Sequence, residues 1–96
     1  MASTPLISTA DLATRLADRN LRIIDCRFEL GDPEAGRRAY LQSRLPHARY
    51  ADLNRDLSDL SQAAEHGRHP LPSMTSLAAS FARLDITRHA PVVAYD

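Results

Sequence analysis

Leu21-Arg22-Ile23-Ile24-Asp25-Cys26-Arg27 is the stretch that decides the fold. It is short, mostly apolar and carries two adjacent β-branched residues. It closes on charged groups, as a buried strand does where it meets a loop. Upstream, Leu6-Ile7 is a brief extended start. Ser8 then caps a helix predicted to run through Asp18, with Asp11 in its first turn, where the positive helix end favours an acid. Leu12 and Leu16 stand one helical turn apart, and Asn20 is the stop. Downstream, Gly31-Asp32-Pro33 marks a loop and Gly36 to Ser43 a short helix with Tyr40 and Leu41. Leu45-Pro46-His47-Ala48 is a turn into a short strand over Ala48 to Ala51. Residues 52–72 read as a long polar loop, and loops of that length are usually functional or poorly ordered. Ser73 caps a second helix, Met74 to Leu84, whose Leu77, Phe81 and Leu84 share one face and predict a core contact. Pro91 to Tyr95 is a last strand. Strands alternating with helices predict an α/β domain, a parallel sheet flanked by helices with right-handed crossovers.

Composition narrows the function classes. The 96 residues suffice for one small domain with a modest core. Twelve basic residues balance twelve acidic ones, and there are only five aromatic residues. That argues against nucleic acid and against an anionic membrane surface. No apolar run approaches the roughly 20 residues of a membrane span, and the first residues lack the pattern of a secretory signal. All basic residues are arginine, so lysine Schiff-base chemistry is excluded within these residues. One cysteine excludes an internal disulfide and a cysteine metal cage. A reducing, cytoplasmic setting is the expectation.

The chemistry-bearing residues are few. Cys26 is the sole thiol, and at the end of an apolar strand it is expected to be buried as a small hydrophobe. Asp25 and Arg27 flank it, either as an anion site or as an ion pair that ties the loop to the strand. Arg37, Arg38, Arg44, Arg49 and Arg55 form a basic stretch that serves as a solvated face or attracts anions. His66 and His69 stand three apart, with His47 and His89 elsewhere. Without a third ligand they do not make a metal site, and no metal or organic cofactor is expected.

The order of several motifs resembles the rhodanese family, in particular the amino-terminal domain of the tandem thiosulfate and 3-mercaptopyruvate sulfurtransferases. The motifs are Asp25-Cys26-Arg27, Tyr40, Leu45-Pro46-His47-Ala48, Asp52-Leu53, His69-Pro70-Leu71-Pro72 and Val92-Val93-Ala94-Tyr95-Asp96. The resemblance runs from about Leu6 to Asp96. It implies a partial rhodanese-like domain over residues 1–96. The carboxyl-terminal strand and helices, and the second domain with the catalytic cysteine, would lie outside them. It also implies that Asp96 occupies the position of the family cysteine. No catalytic residue is then expected here, beyond a possible accessory role for His69. Arg27 and Arg44 would line the wall facing a small anionic sulfur donor. The family turn reads Gly-His-Ile-Pro-Gly-Ala; here it is Ser43-Arg44-Leu45-Pro46-His47-Ala48, so both glycines are replaced. Where mercaptopyruvate enzymes carry an acid that orients the histidine, this sequence has Asn54, with Asp52 kept two residues earlier.

Three functions compete. The first is the non-catalytic amino-terminal part of an enzyme moving sulfane sulfur from thiosulfate or 3-mercaptopyruvate to cyanide or a thiol. The second is a stand-alone rhodanese-like binding module without chemistry. The third, ranked last, is a Cys26-dependent redox enzyme. In the family the strand matching Pro91 to Tyr95 is internal to the sheet, so the resemblance also implies an open flank here and self-association through that edge.

Overall fold

The computed structural model describes residues 5–58 and 71–96. Three helices alternate with three strands: α1 (Thr9–Arg15), β1 (Arg22–Asp25), α2 (Ala35–Gln42), β2 (Arg49–Tyr50), α3 (Met74–Arg83) and β3 (Val92–Tyr95). The strands form one parallel sheet in the order β2-β1-β3, so the chain is α/β with β1 at the centre.

Alternation along β1 sends side chains to two faces. Ile23 joins Leu12, Leu21 and Ala48 in one core cluster, completed by Leu16, Tyr40, Val93 and Tyr95. That face is covered by α1 and α2. Ile24 turns the other way and packs with Ala51 and Leu84 at the end of α3. The β1–β3 register sets Ile23 opposite Val93 and Asp25 opposite Tyr95, which places the last two on the α1/α2 face.

The serine caps form as expected: Ser8 Oγ accepts from the Asp11 N–H and Ser73 Oγ from the Ser76 N–H, each at 3.1 Å. Both satisfy amide donors that have no partner inside the helix. Other expectations need correction. Helix α1 stops at Arg15 and not at Asp18, because the chain turns there: the Asp18 N–H donates to the Arg15 carbonyl and the Asn20 N–H to Asp18 Oδ1. The apolar stripe of α3 is not all core. Leu84 is buried and Leu77 half-buried, but Phe81 is 37% exposed and Met74 81%. Leu84, just past the end of α3, joins Ile24 in the core cluster, whereas Met74 in the first turn stays exposed. On that same side Val92 is 44% exposed and Ala94 also faces outward, while Val93 and Tyr95 are half-buried.

Two turns carry ionisable residues in the left-handed region, where glycine is favoured: His47 at φ 64° and Asp85 at φ 59°. His47 therefore keeps the turn of the Pro46-His47-Ala48 segment without a glycine. Asp85 follows the end of α3, a position that commonly turns left-handed.

Candidate functional site

In parallel α/β sheets, ligands gather at the carboxyl ends of the strands. Here that end is organised by Asp25, the last residue of β1, whose side chain is fully buried. Arg27 loops back onto it. Its Nε donates to Asp25 Oδ1 at 3.1 Å and Oδ2 at 3.0 Å, and its Nη2 to Oδ2 at 2.7 Å. The Arg27 backbone N–H adds a bond to Oδ1 at 2.9 Å. Tyr95, opposite in the ladder, donates its hydroxyl to Asp25 Oδ2 at 3.1 Å and accepts from the Leu45 N–H at 3.2 Å. Arg27 Nη2 also reaches the Ser43 carbonyl at 2.6 Å. Burial alone pushes the Asp25 carboxyl up. The bonds from Arg27 and Tyr95 outweigh it and hold the carboxyl below its usual range. One carboxylate thus joins β1, β3 and the loop after α2.

Arg27 takes part in a second arrangement. With Phe28, Glu29, Gly36, Ala39 and Asp96 it lines an open cleft of about 350 Å³. Gly36 makes the cleft possible. A Cβ there would stand 2.0 Å from the Arg27 carbonyl oxygen and 2.6 Å from the Tyr50 hydroxyl, so α2 approaches the end of β1 only without a side chain. In the sequence Gly36 marks only a helix start, since its neighbours Arg27 and Tyr50 come from other segments.

The remaining candidates are distributed. Asp96 is exposed and follows β3 directly, at the mouth of this cleft. Arg44 is not among the lining residues: its guanidinium stacks over the Tyr40 ring, 4.4 Å from the centroid, and its Nη1 donates to the Tyr40 carbonyl. Arg38 pairs with Asp32, and Arg55 lies 3.8 Å from Glu34, so these members of the basic stretch are spread over separate contacts. His66 and His69 lie outside the described residues. Among the described residues no cluster of histidine, cysteine and carboxylate groups could hold a metal ion. No described helix is long and apolar enough to cross a membrane.

Cys26 is half-buried, not fully buried; it follows the last residue of β1, and its N–H donates to the Tyr95 carbonyl at 2.7 Å. It packs beside Ile24, Ala51 and Leu84 on the α3 face, the face away from Asp25. Burial pushes its thiol pKa up, and the charges of Asp25 and Asp96 push it further. Such a thiol holds its proton at neutral pH and is a poor nucleophile.

Asp52 has a local task. Its Oδ1 accepts from the backbone of Asn54 and Arg55, and its own N–H donates to Asp56 Oδ2 at 2.8 Å. Asp56 in turn pairs with Arg83 at 2.7 Å, tying this turn to α3.

No family model and no solved structure matches the chain. Curated relatives do. The chain is 41% identical over its full 96 residues to a Pseudomonas aeruginosa protein named "Probable 3-mercaptopyruvate sulfurtransferase", covering 34% of that protein. Over 92 residues it is 45% identical to a Mycobacterium tuberculosis protein named "Putative thiosulfate sulfurtransferase SseB", covering 32% of it. A Schizosaccharomyces pombe protein, again named "Probable 3-mercaptopyruvate sulfurtransferase", is 38% identical over 69 residues. The chain spans about a third of the length of the first two relatives.

Proposed function

The chain is homologous to a third of the 3-mercaptopyruvate and thiosulfate sulfurtransferases, and from that premise we propose that it is part of their non-catalytic, amino-terminal rhodanese-type domain. In this reading the whole enzyme moves sulfane sulfur from thiosulfate or 3-mercaptopyruvate to cyanide or a thiol. The residues described here supply a wall of the cleft, with Arg27 facing a small anionic donor. Arg44 joins that wall only by leaving the Tyr40 ring. A cytoplasmic setting fits the single free thiol.

The observation that carries this reading is Asp96 at the mouth of the cleft. Sulfur transfer needs a thiolate that attacks the donor sulfur and holds it as a persulfide. A carboxylate forms no such bond. Cys26 is no substitute, because it lies on the opposite face of β1 with its thiol pKa raised. Arg27 is already saturated on one edge by Asp25, so its part is to fix the end of β1 and present the cleft side of its guanidinium.

Thiocyanate formation from thiosulfate and cyanide tests the reading. The 96-residue chain should give no turnover above the uncatalysed rate. Co-expression with the remaining two-thirds of the Pseudomonas relative should restore turnover. Turnover by the chain alone that Cys26→Ser abolishes would overturn the proposal. Failure of the split pair, with both pieces folded, would favour a stand-alone binding module.

A further inference from the structure

A larger cavity, about 590 Å³, opens at the other end of the sheet, where the strands begin. Arg22 starts β1 and Arg49 starts β2, and both line it, together with Arg19, His47, Asp18 and Asp85. We propose that this cavity is a binding site for a small oxyanion of the inorganic phosphate type, held by Arg19 and Arg49 beside the anchored Arg22 and His47.

Charge is the first support. Three guanidiniums line the cavity against two carboxylates, and the carboxylates are partly committed. Asp18 Oδ1 accepts from the Asn20 N–H. Asp85 Oδ2 stands 3.4 Å from Arg22 Nε but 3.9 Å from Arg49 Nη2, so its contact with Arg49 is loose. Arg19 makes no side-chain hydrogen bond or ion pair among the described residues, and its carbonyl accepts from Arg22 Nη1. Arg22 is anchored by this bond and by one from its Nε to the Asp85 carbonyl at 2.6 Å. The wall therefore has one fixed guanidinium and two with donors to spare. Guanidiniums bind tetrahedral oxyanions through paired N–H groups, which is the chemistry offered here.

Backbone conformation is the second support, independent of charge. Both non-glycine residues with positive φ among the described residues, His47 and Asp85, line this one cavity. Left-handed backbone is disfavoured in residues with a Cβ, and such conformations collect at functional sites. Glycine would relieve both turns. An imidazole stands at one turn, with a ring N–H able to donate to an anion, and a carboxylate at the other, where it holds Arg22. The site lies away from the Asp96 cleft and does not depend on the sulfurtransferase reading.

Titration of the ¹⁵N-labelled protein with sodium phosphate at constant ionic strength tests the proposal, with sodium acetate as the second anion. The amides of residues 19–23, 47–49 and 85 should shift saturably with phosphate, with a dissociation constant on the order of 1 mM. Arg49→Ala, at an exposed side chain, should weaken binding by about tenfold or more, a loss in line with one charged hydrogen-bond partner. Asp85→Asn keeps a residue tolerant of the left-handed region and removes the competing charge, so it should tighten binding. A folding defect would not produce that gain. Equal responses to acetate and phosphate, shifts spread evenly over all arginines, or an Arg49→Ala variant that binds like the parent would each overturn the proposal.

Discussion

Tyr95 donates its hydroxyl hydrogen to the buried carboxylate of Asp25 at 3.1 Å, across a ladder whose register already sets the two residues face to face. The phenol also accepts from the Leu45 N–H, so it transmits the position of β3 to the loop after α2. Tyr95→Phe keeps the ring and its packing but removes both bonds. A hydrogen bond to a charged group contributes about 1.5–3 kcal/mol. The variant should lose a stability in that range, read as a lower urea midpoint with an unchanged slope.

Arg27→Ala should be more damaging. Removing Arg27 leaves the fully buried Asp25 carboxylate without its charged partner, so the loss of stability should exceed that of Tyr95→Phe. The pH dependence has a definite sign. Asp25 has a carboxyl held below its ordinary value of 3.8, so its contribution is fully present above that pH and is lost as pH falls through the depressed folded-state value. Without the guanidinium, burial pushes the carboxyl back up. The acid limb of the stability profile should flatten in Arg27→Ala, measured by denaturation between pH 2 and pH 6.

Gly36→Ala adds one methyl group where the Arg27 carbonyl would lie 2.0 Å away. Backbone has to move, and overpacking of this kind costs about 1–3 kcal/mol. A lower thermal midpoint is expected. The displacement should also be visible as shifted amide resonances at Arg27 and Tyr50.

Cys26 should react slowly with thiol reagents in the folded state. Its half-burial and raised pKa both reduce the thiolate available at neutral pH. A titration without denaturant should be much slower than one in denaturant. Rapid stoichiometric labelling at pH 7 would contradict the packing against Leu84.

β3 borders only β1 among the described residues, and Val92 is exposed on its α3 side. An open apolar edge is a template for a second chain. Sedimentation should show concentration-dependent association, and Val92→Lys should suppress it. A monomer at all concentrations would show that the edge is covered.

The sequence disclosed the elements whose causes are local. Ser8 and Ser73 announce helix starts because a hydroxyl can reach an amide three residues on. Ile23 and Ile24 announce a strand because branched side chains fit a pleated surface. Phe81 and Met74 show the limit of periodicity: spacing tells which residues share a face, and only the packing of other elements tells whether that face is covered. The site was less legible. Asp25 and Arg27 stood out as neighbours, but the part of Tyr95 depends on a register between residues 70 positions apart. The need for Gly36 to lack a side chain depends on Tyr50 and on the path of β1. His47 showed only as a missing glycine, and its φ of 64° reveals that the turn kept its shape against the preference of the residue.

The central place of β1 gives it two pairings that close loops of different length. Its pairing with β2 joins Ile24 to Arg49, whereas its pairing with β3 joins Ile23 to Val93. Closing a loop of about 70 residues costs on the order of 4 kcal/mol of chain entropy, and each doubling of loop length adds only ~0.6 kcal/mol. The β1–β2 pair can therefore form early, while Asp25 waits for Tyr95. Until β3 docks, Asp25 must rely on Arg27 alone, and the nascent sheet stays open along the flank that β3 later occupies. Folding speed should accordingly follow the docking of the last strand, as expected when the decisive contacts are distant in sequence.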